Sequence, residues 1–402
     1  MLTLDAVQTV ACGGVFLLAG YAIRRRVPLL GRFSIPAPVI GGLLVALAML
    51  ACRQWGVRPV AFDTTLQQPL MIAFFTSIGF NASASLLKVG GRQIVLFLAL
   101  ATVLAVVQNV VGVALAKAFG LPPLFGVLTG SVTLTGGPAT GLAFAPLFTE
   151  AGVHGAPSVA LANAMAGIIC GSVIGAPLAT LLIERYRLRA PHTPDTAGDT
   201  APTPTAAATG AGSAEAQAFA GLRSFVLVLL AMGLGAWISD GIGALGVTLP
   251  SYIGAMLVGA LIRNVDDRSG WFGLSARSIE IVGNASLSLF LVVALMNLHL
   301  WDLAGLALPL LAGLAVQTVL VAGFCAWPLL RLMGRDYDAA VMAGGFAGFM
   351  LGTTANAVAV MGSLTERYGP APRAFLVAPI VGAFLIDFTN AIVITAFVNG
   401  WR

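Results

Sequence analysis

The feature that most constrains this chain is a succession of ten apolar runs that approach or reach the length of a bilayer-spanning helix, about 17 to 25 residues. Only 9% of the 402 residues are charged, whereas soluble domains carry roughly 25%. We therefore predict an all-α integral membrane protein. The predicted spans lie near 6–24, 36–52, 68–86, 93–117, 158–183, 222–241, 249–263, 281–300, 304–330 and 374–398.

Two further segments, 121–150 and 337–362, are apolar enough to enter a membrane but too irregular to be simple spans. The first contains VLTGSVTLTGGPATG (127–141) and the second contains MAGGFAGFMLGTTANA (342–357). Because lipid offers no hydrogen bonds to an irregular backbone, such segments are tolerated only when they are buried in protein or line a wet cavity. We predict that both are re-entrant hairpins. Interrupted segments at matching places in two halves point to the binding site of a transporter.

The two halves of the chain resemble each other at a near-constant spacing, which indicates an internal repeat. Each half holds five predicted spans, and an odd number inverts the second copy relative to the first. The sequence thus predicts two inverted-topology repeats, residues 1–185 and 219–402, as is typical of secondary transporters. The equivalent pairs are Thr140 with Thr354 and Gly130 with Gly344 (both at a spacing of 214), Gly41 with Gly254 (213), and Gly167 with Gly382 (215).

The halves are joined by residues 186–218, a stretch of Pro, Thr, Ala and Gly with almost no bulky apolar side chain. This stretch cannot bury enough surface to fold, so we expect a flexible connector. With both termini outside and each hairpin returning to its own side, 17 of the 21 lysines and arginines fall in cytoplasmic segments. Since cytoplasmic loops are enriched in these residues, the linker is predicted to be cytoplasmic.

Polar residues cluster at the two interruptions and are candidate ligands for an ion or a substrate. Hydroxyl, amide and freed carbonyl oxygens suit Na⁺, and the N–H groups of a helix start suit a carboxylate. Glycine lets the backbone approach a ligand closely, and Pro138 would fix the break. The alternative is that these small residues only allow tight helix packing. The candidates at the breaks are Thr133, Thr135, Gly136, Gly137, Thr140, Thr353, Thr354 and Asn356.

Asp387, in FLIDFTNAIV, is the one carboxylate deep within a predicted span. An aspartate there costs about 3 kcal/mol on insertion scales, so such residues are usually functional. It is a candidate Na⁺ ligand or partner of a substrate ammonium group, and the alternative is a structural hydrogen bond to Asn390 or a threonine. Asn390, and Asn163 in the equivalent span of the first half, are further candidates. The residues predicted to bind Na⁺ are Thr135, Thr353, Asn356 and Asp387.

Other polar residues within the spans have simpler interpretations. Polar side chains inside a span often bridge helices, and others cap a helix start. The expected bridging residues are Gln108, Asn109, Gln317 and Thr318. The expected caps of the eighth span are Asn284, Ser286 and Ser288.

The composition argues against several other classes of protein. Neither of the two lysines, Lys88 and Lys117, lies in a GxxxxGK phosphate loop, so an ATP-driven motor is not expected. The chain has no HExxH, no GxSxG and no pair of intramembrane aspartates, so an enzyme is not expected either. The basic residues are scattered and give no sign of nucleic-acid binding, and the four cysteines have no metal-type spacing. A passive channel remains the alternative to a transporter.

Several long stretches resemble one known family, the sodium/glutamate symporters. VGNASLSLFLVVALMNLHLWDLAGLALPLL (282–311) is similar to the eighth span of that family and the segment after it, and GSVTLTGG (130–137) is similar to the start of its first pore loop. The resemblance covers nearly the whole chain outside the linker. It implies Na⁺-coupled uptake of L-glutamate across a bacterial inner membrane, on an inverted-repeat fold with two re-entrant loops. The remaining matching stretches are IPAPVIGGLLVALAML (35–50), DAAVMAGG (338–345) and APIVGAFLIDFTNAIVI (378–394).

The sequence departs from the family pattern in both loops. The first loop of the family typically reads Gly-Gly-His-Gly, where this chain has GGPA (136–139), and the second typically carries Gly-His, where this chain has GGF (344–346). Na⁺ coupling does not require these histidines, but another small carboxylate or amino acid is an alternative substrate. The hypothesised mechanism is alternating access, in which the hairpin tips and the tenth span move past a fixed scaffold that is expected to form a homodimer.

Overall fold

The computed structural model describes residues 3–55, 60–190, 214–244, 250–303 and 305–401, and nearly all of them are helical. The first half contains α1 (Ala6–Arg26), α2 (Pro28–Arg32), α3 (Ala37–Gln54), α4 (Gln67–Asn81), α5 (Ala84–Ala118), α6 (Pro123–Val127), α7 (Gly137–Glu150) and α8 (Ala156–Tyr186). The second half contains α9 (Ala214–Gly243), α10 (Ser251–Ser269), α11 (Ala276–Met296), α12 (Ala307–Phe324), α13 (Leu330–Leu332), α14 (Tyr337–Met350), α15 (Thr354–Tyr368), α16 (Pro372–Ile380) and α17 (Ile386–Gly400).

Three π-helical turns and one short 3₁₀ helix interrupt or join these helices. The π-helical turns are Leu128–Val132, Cys325–Leu329 and Val381–Leu385, and the 3₁₀ helix is Leu300–Leu303. The second and third π-helical turns lie at or next to Pro328 and Pro379, residues that lack the N–H needed for a regular helical ladder. The described chain is therefore helical but repeatedly broken.

Seven described helices are long and apolar enough to cross a membrane, which confirms the predicted class of all-helical membrane protein. They are Ala6–Arg26, Ala37–Gln54, Gly91–Ala118, Ala156–Tyr186, Ala218–Gly243, Ala276–Met296 and Ala307–Leu332. The other three predicted spans correspond to helices that are short, partly charged or interrupted. The span at 68–86 becomes the 15-residue α4, that at 249–263 becomes α10, which ends in a charged turn, and that at 374–398 is divided between α16 and α17.

The helices pack into two groups. The scaffold group consists of α1, α3, α4, α9, α10 and α11, in which α4 packs closely against α10 and α11, and α1 against α3. The core group consists of α5 to α8, α12 and α14 to α17, in which α14 packs against α8 and α15, and α6 against α5. One buried apolar cluster lies inside the core group, and another joins α4, α7 and α10 across the boundary. That boundary is where the site lies.

The junction from α4 to α5 is fixed by polar side chains of α10. Asn264 donates its Nδ2–H to the carbonyl oxygen of Ala82 (2.8 Å) and accepts the N–H of Ala84 through Oδ1 (2.8 Å). Ser83 caps the start of α5 and donates to Asp267, which also pairs with Arg263 at 2.9 Å. The connection between the scaffold group and the core group is therefore held at its scaffold end.

Two structural details, a short strand pair and the start of α9, were not expected from the sequence. Residues Thr3–Leu4 pair in parallel with Ala61–Phe62 as a two-residue ladder of β1 and β2. Residues 214–218, at the end of the predicted linker, belong to α9. The central part of that linker, 191–213, lies outside the described residues.

Candidate functional site

The first break lies between α6 and α7. The π-helical turn Leu128–Val132 contains Gly130 at φ −92° and ψ −127°, which no regular helix adopts. α7 then begins at Gly137, whose φ of +68° lies in the left-handed region that glycine adopts without strain. Pro138 follows in the first turn of α7, where a missing N–H costs nothing. The predicted Gly-Gly-Pro interruption is therefore the place where a new helix, α7, begins.

Asn163 of α8 holds the backbone of this break. Its Nδ2 donates to the carbonyl oxygen of Thr129 (3.0 Å) and to Oγ1 of Thr133 (2.7 Å). Thr133 in turn donates its hydroxyl to the carbonyl oxygen of Leu128 (2.8 Å). All three polar residues are buried. Asn163 and Thr133, both predicted ligands, thus satisfy backbone and side-chain groups inside the protein.

Two more asparagines bind the same break at Ser131. Asn109 of α5 accepts the N–H of Ser131 through Oδ1 (2.9 Å), and Asn390 of α17 donates Nδ2–H to the carbonyl oxygen of Ser131 (3.1 Å). The alternative interpretation of Asp387, a structural hydrogen bond to Asn390, finds no support here, because the Nδ2–H of Asn390 is donated to Ser131. Both asparagines are buried. They link the first break to helices of both halves of the chain.

A glutamine network joins the first break to the end of α14. Thr135 donates its hydroxyl to Oε1 of Gln108 (2.8 Å), and Gln108 donates Nε2–H to the carbonyl oxygen of Met350 (3.1 Å). Gln317 of α12 donates Nε2–H to the carbonyl oxygen of Gln108 (2.7 Å). The expectation that Gln108 and Gln317 bridge helices therefore agrees with these contacts.

The second break, residues 351 to 353, is shorter than the first. Thr353 caps α15, because its Oγ1 accepts the N–H of Asn356 at 3.4 Å. Asn356 is fully buried and donates Nδ2–H to the carbonyl oxygen of Ile168 (2.9 Å). Thr354 donates its hydroxyl to the carbonyl oxygen of Gly382 (2.5 Å), inside the π-helical turn before α17. This break is thus held to α8 and to the segment that carries Asp387.

The two breaks touch. A Cβ atom at Gly137 would lie 3.6 Å from the carbonyl oxygen of Gly352 and 3.7 Å from Cγ2 of Thr353. The starts of α7 and α15 therefore lie side by side, although they come from opposite halves of the chain. Each helix start has backbone N–H groups without intrahelical partners and the positive end of a helix dipole. Together they form a place where an anion is favoured.

A cavity of about 740 Å³ opens at this meeting point. Five of the predicted site residues line it: Thr135, Gly136, Thr353, Thr354 and Asp387. The predicted site residues that do not line it are Thr133, Gly137, Thr140, Asn163, Asn356 and Asn390. Of these, Thr140 packs against Gly136, where an added Cβ would lie 2.6 Å from the threonine Cβ. Residue type alone does not distinguish the two sets.

Asp387 lines this cavity from α17 and makes no hydrogen bond or ion pair with any described residue. An unpaired carboxylate inside a membrane protein is costly unless it faces water, a partner or a ligand. The cavity provides that exposure. The functional interpretation of Asp387 therefore fits its position better than the structural alternative does.

The opposite wall of the cavity belongs to the scaffold group and was missed by the sequence interpretation. Ser77 and Asn81 of α4, and Asn284 and Ser288 of α11, are each four residues apart, so each pair lies on one helix face. The expectation that Asn284 and Ser288 cap the eighth span is wrong, because α11 begins at Ala276 and is capped by Ser275. The four-residue spacing predicts that each pair shares a helix face, but not that this face lines a cavity.

The mouth of the cavity is charged. Arg24, in the last turn of α1, and Glu280 of α11 both line it, together with Tyr21. Arg24 is the one lysine or arginine among the lining residues. In the predicted orientation Arg24 is cytoplasmic, so the cavity would open toward the cytoplasm. Deeper in the protein the lining becomes neutral except for Asp387.

An all-helical membrane chain with two helix starts meeting beside a polar cavity has the features of a membrane transporter. The model of one family, described as sodium/glutamate symporter, matches residues 2–370. The chain is 40% identical over 398 residues to the sodium/glutamate symporter of Escherichia coli, covering 99% of this chain and 98% of that protein. It is 36% identical over 390 residues to the sodium/glutamate symporter of Haemophilus influenzae, covering 97% and 96%. The chain belongs to the sodium/glutamate symporter family, and the predicted resemblance is confirmed.

Proposed function

We propose that this chain carries L-glutamate into the cell together with Na⁺, by alternating access across the bacterial inner membrane. The observation that supports this most strongly is the meeting of the α7 and α15 starts beside the cavity that Asp387 lines. Family membership provides the substrate and the ion, since the relatives are named sodium/glutamate symporters. No cofactor other than the coupling ion is part of the proposal.

The site offers complementary chemistry to each charged group of an amino-acid anion. The unpaired N–H groups at the starts of α7 and α15 would bind a carboxylate, as helix starts do in other anion sites. Asp387 would face the substrate ammonium group or a Na⁺ ion. Arg24 at the mouth would attract the anion from the aqueous side. In this proposal α7, α15 and α17 bind the substrate, and the scaffold wall only contacts it.

The four Na⁺ candidates are not equally supported. Asp387 lines the cavity and makes no hydrogen bond with a described residue, so its oxygens are available to an ion. Thr353 and Thr135 line it too, and each hydroxyl donates to an amide oxygen. The bond from Thr353 to Asn356 (3.4 Å) is longer than that from Thr135 to Gln108 (2.8 Å), so Thr353 is the less firmly held of the two. Asn356 is buried, and its amide oxygen lies 3.4 Å from Oγ1 of Thr353. The proposed Na⁺ site is therefore centred on Thr353 and Asp387, with Thr135 and Asn356 at its edges.

The wider architecture is proposed from the sequence. The segments 121–150 and 337–362 would be re-entrant hairpins of two inverted repeats, residues 1–185 and 219–402. The segment between α8 and α9, residues 187–213, would form a cytoplasmic linker, and both termini would be outside. The core group would move past the scaffold group, which would form the homodimer. The separate packing of the two groups supports this division.

The alternative substrate, another small carboxylate or amino acid, rests on the two family histidines that this chain lacks. The two positions have different surroundings. Pro138 lines the cavity. Gly345 is packed away from it, since a Cβ there would lie 2.8 Å from Sδ of Met361, and Phe346 is fully buried. Only the departure at Pro138 therefore lies where it could alter the choice of substrate.

The test is uptake of radiolabelled L-glutamate by proteoliposomes with an inward Na⁺ gradient, repeated with K⁺ in place of Na⁺. We expect saturable accumulation that disappears without Na⁺. Linear, unsaturable flux would support a channel instead. If vesicles that hold an ion gradient accumulate no glutamate, the substrate assignment fails, and competition by other small carboxylates would identify the alternative.

A further inference from the structure

A second cavity, of about 350 Å³, lies between α4 and α7 beyond the first. It is lined by the start of α4, by the second half of α7 and by Pro250 just before α10. α4 and α7 both line both cavities. On α4, Met71 lines the smaller cavity and Ile78 lines the larger one. On α7, Ala143 lines the smaller cavity and Ala139 lines the larger one. The two cavities thus follow one another along the same two helices.

Three buried aromatic rings pack together beside the smaller cavity, next to its lining residues Met71, Ala143 and Pro250. Phe75 follows Met71 by four residues and precedes Ile78 by three, so all three share one face of α4. Its ring stacks on Tyr252 of α10, with ring centres 3.9 Å apart and planes at 19°. The Tyr252 ring meets Phe144 of α7 edge-on, with centres 5.9 Å apart. All three side chains are at most 2% exposed.

The contacts among these rings cross the boundary between the two helix groups. Phe75 and Tyr252 belong to the scaffold group, whereas Phe144 belongs to the core group. A movement of the core group past the scaffold would therefore separate Phe144 from Tyr252 and leave the contact between Phe75 and Tyr252 intact. In that movement Phe75 and Tyr252 would stay in place and Phe144 would move, so the three rings would form a seal between the two groups.

The linings of the two cavities are related by the sequence repeat. Gln67, Met71 and Pro250 line the smaller cavity, and Glu280, Asn284 and Ala37 line the larger. The residue numbers in each pair differ by 213, the same spacing that separates Gly41 from Gly254. The smaller cavity is thus the counterpart of the larger one in the other repeat.

We propose that the smaller cavity is the vestibule for a small amino-acid anion on the side opposite Arg24, and that Phe75, Tyr252 and Phe144 form the closed gate between vestibule and site. This rests on the proposed function. The Tyr252 hydroxyl supports it independently, because it is buried and has no hydrogen-bond partner among the described residues. An orphaned hydroxyl is costly. When Phe144 moves away, that hydroxyl gains water, and the vestibule joins the site.

Cross-linking tests the gate directly. In a background with Cys12, Cys52, Cys170 and Cys325 replaced, Phe144→Cys is combined with Tyr252→Cys and treated with a short bifunctional thiol reagent in proteoliposomes. We expect the bridge to reduce Na⁺-dependent uptake at least tenfold. The matched control combines Phe75→Cys with Tyr252→Cys, which are both scaffold residues, and its bridge should leave the uptake of that variant unchanged.

Two outcomes would overturn the gate. Either the bridge between positions 144 and 252 forms and uptake continues at the unbridged rate, or only the control pair forms a bridge. A second measurement requires no glutamate and so separates this proposal from the substrate assignment. Phe144→Ala should raise Na⁺ entry into substrate-free vesicles several-fold, whereas Tyr252→Phe, which keeps the ring, should not. A Phe144→Ala leak equal to the parent's, in protein that elutes as a single folded species, would also overturn it.

Discussion

The two helix breaks use polar residues in different ways. At the first break, Asn109, Asn163 and Asn390 come from three other helices and bind the backbone of the π-helical turn. At the second, Thr353 caps α15 from within the break, and Asn356 makes a single bond to α8. Side chains of other helices therefore hold the first break, whereas the second break is held mainly by side chains from its own residues and from the start of α15.

The difference also appears in the spacing of the repeats. α7 begins at Gly137 and α15 at Thr354, a spacing of 217, although Thr140 and Thr354 were aligned at 214. The first helix therefore starts almost one turn earlier than the sequence alignment expects. The backbone before this start is disturbed by the π-helical turn Leu128–Val132, and the three asparagines bind backbone groups of that turn. At the second break, by contrast, Thr353 and Thr354 bind backbone groups and also line the cavity.

The largest effect is expected at Asp387, which lines the cavity together with residues of both breaks. Asp387→Asn should reduce Na⁺-dependent glutamate uptake to the background of empty vesicles, because it removes the one charge deep in the cavity. The protein should still insert and elute as a folded species. Asp240→Asn, a change at an exposed carboxylate of α9, is the matched control and should transport normally. Normal uptake by Asp387→Asn would remove this residue from the site.

The next largest effect compares the two buried asparagines. Asn163→Ala leaves the Thr129 carbonyl oxygen without its side-chain donor and removes the bond to Oγ1 of Thr133, so it should cost about 1–3 kcal/mol of stability for the carbonyl and less for Thr133, which still donates to the Leu128 carbonyl oxygen. Asn356→Ala removes one bond to a backbone carbonyl, at Ile168, and a longer contact with Thr353, and should cost less. The thermal stability of the purified proteins in detergent checks this order. Equal loss in the two variants would contradict the idea that the first break depends more on side chains of other helices.

A smaller effect is expected at the cap of the second break. Thr353→Val removes both the hydroxyl that caps α15 and an oxygen that faces the cavity, so it should cost about 1 kcal/mol. The Na⁺ concentration for half-maximal uptake should rise several-fold. Thr353→Ser keeps the hydroxyl and should resemble the parent. An unchanged Na⁺ dependence in Thr353→Val would exclude this hydroxyl as an ion ligand.

The smallest effect is expected at the start of α7. Pro138 stands in the first turn of α7, so Pro138→Ala should cost only about 0.4–1 kcal/mol, through the greater freedom of the unfolded chain. Glutamate uptake should persist, since the backbone N–H groups beyond it remain. Gly345→Ala is the contrasting change in α14, where a Cβ would press on Met361. A greater loss of thermal stability in Pro138→Ala than in Gly345→Ala would reverse this ranking.

The class of fold and the location of both breaks were readable from the sequence, because hydropathy and small-residue interruptions are local signals. Asp387 was identifiable for the same reason. The cavity wall at Asn284 and Ser288 was not, because only the packing of α4 against α11 decides which face is wet. Asn163 and Thr133 were assigned to the ligand by residue type, yet they bind the break itself. Phe75, Tyr252 and Phe144 look like ordinary core residues until the cavities that α4 and α7 line are known.

The glycine contacts between helices have a consequence for the speed of transport. Within the scaffold group, a Cβ at Gly20 would lie 2.2 Å from the carbonyl oxygen of Ala37, and within the core group a Cβ at Gly112 would lie 2.1 Å from that of Gly126. At these places backbones touch, and each group is stiff. The ring contact between Tyr252 and Phe144 is made by side chains alone. If the core group slides past the scaffold group as proposed, the movement would meet friction from ring rotation and from the viscosity of the surrounding lipid, and no helix would need to unwind.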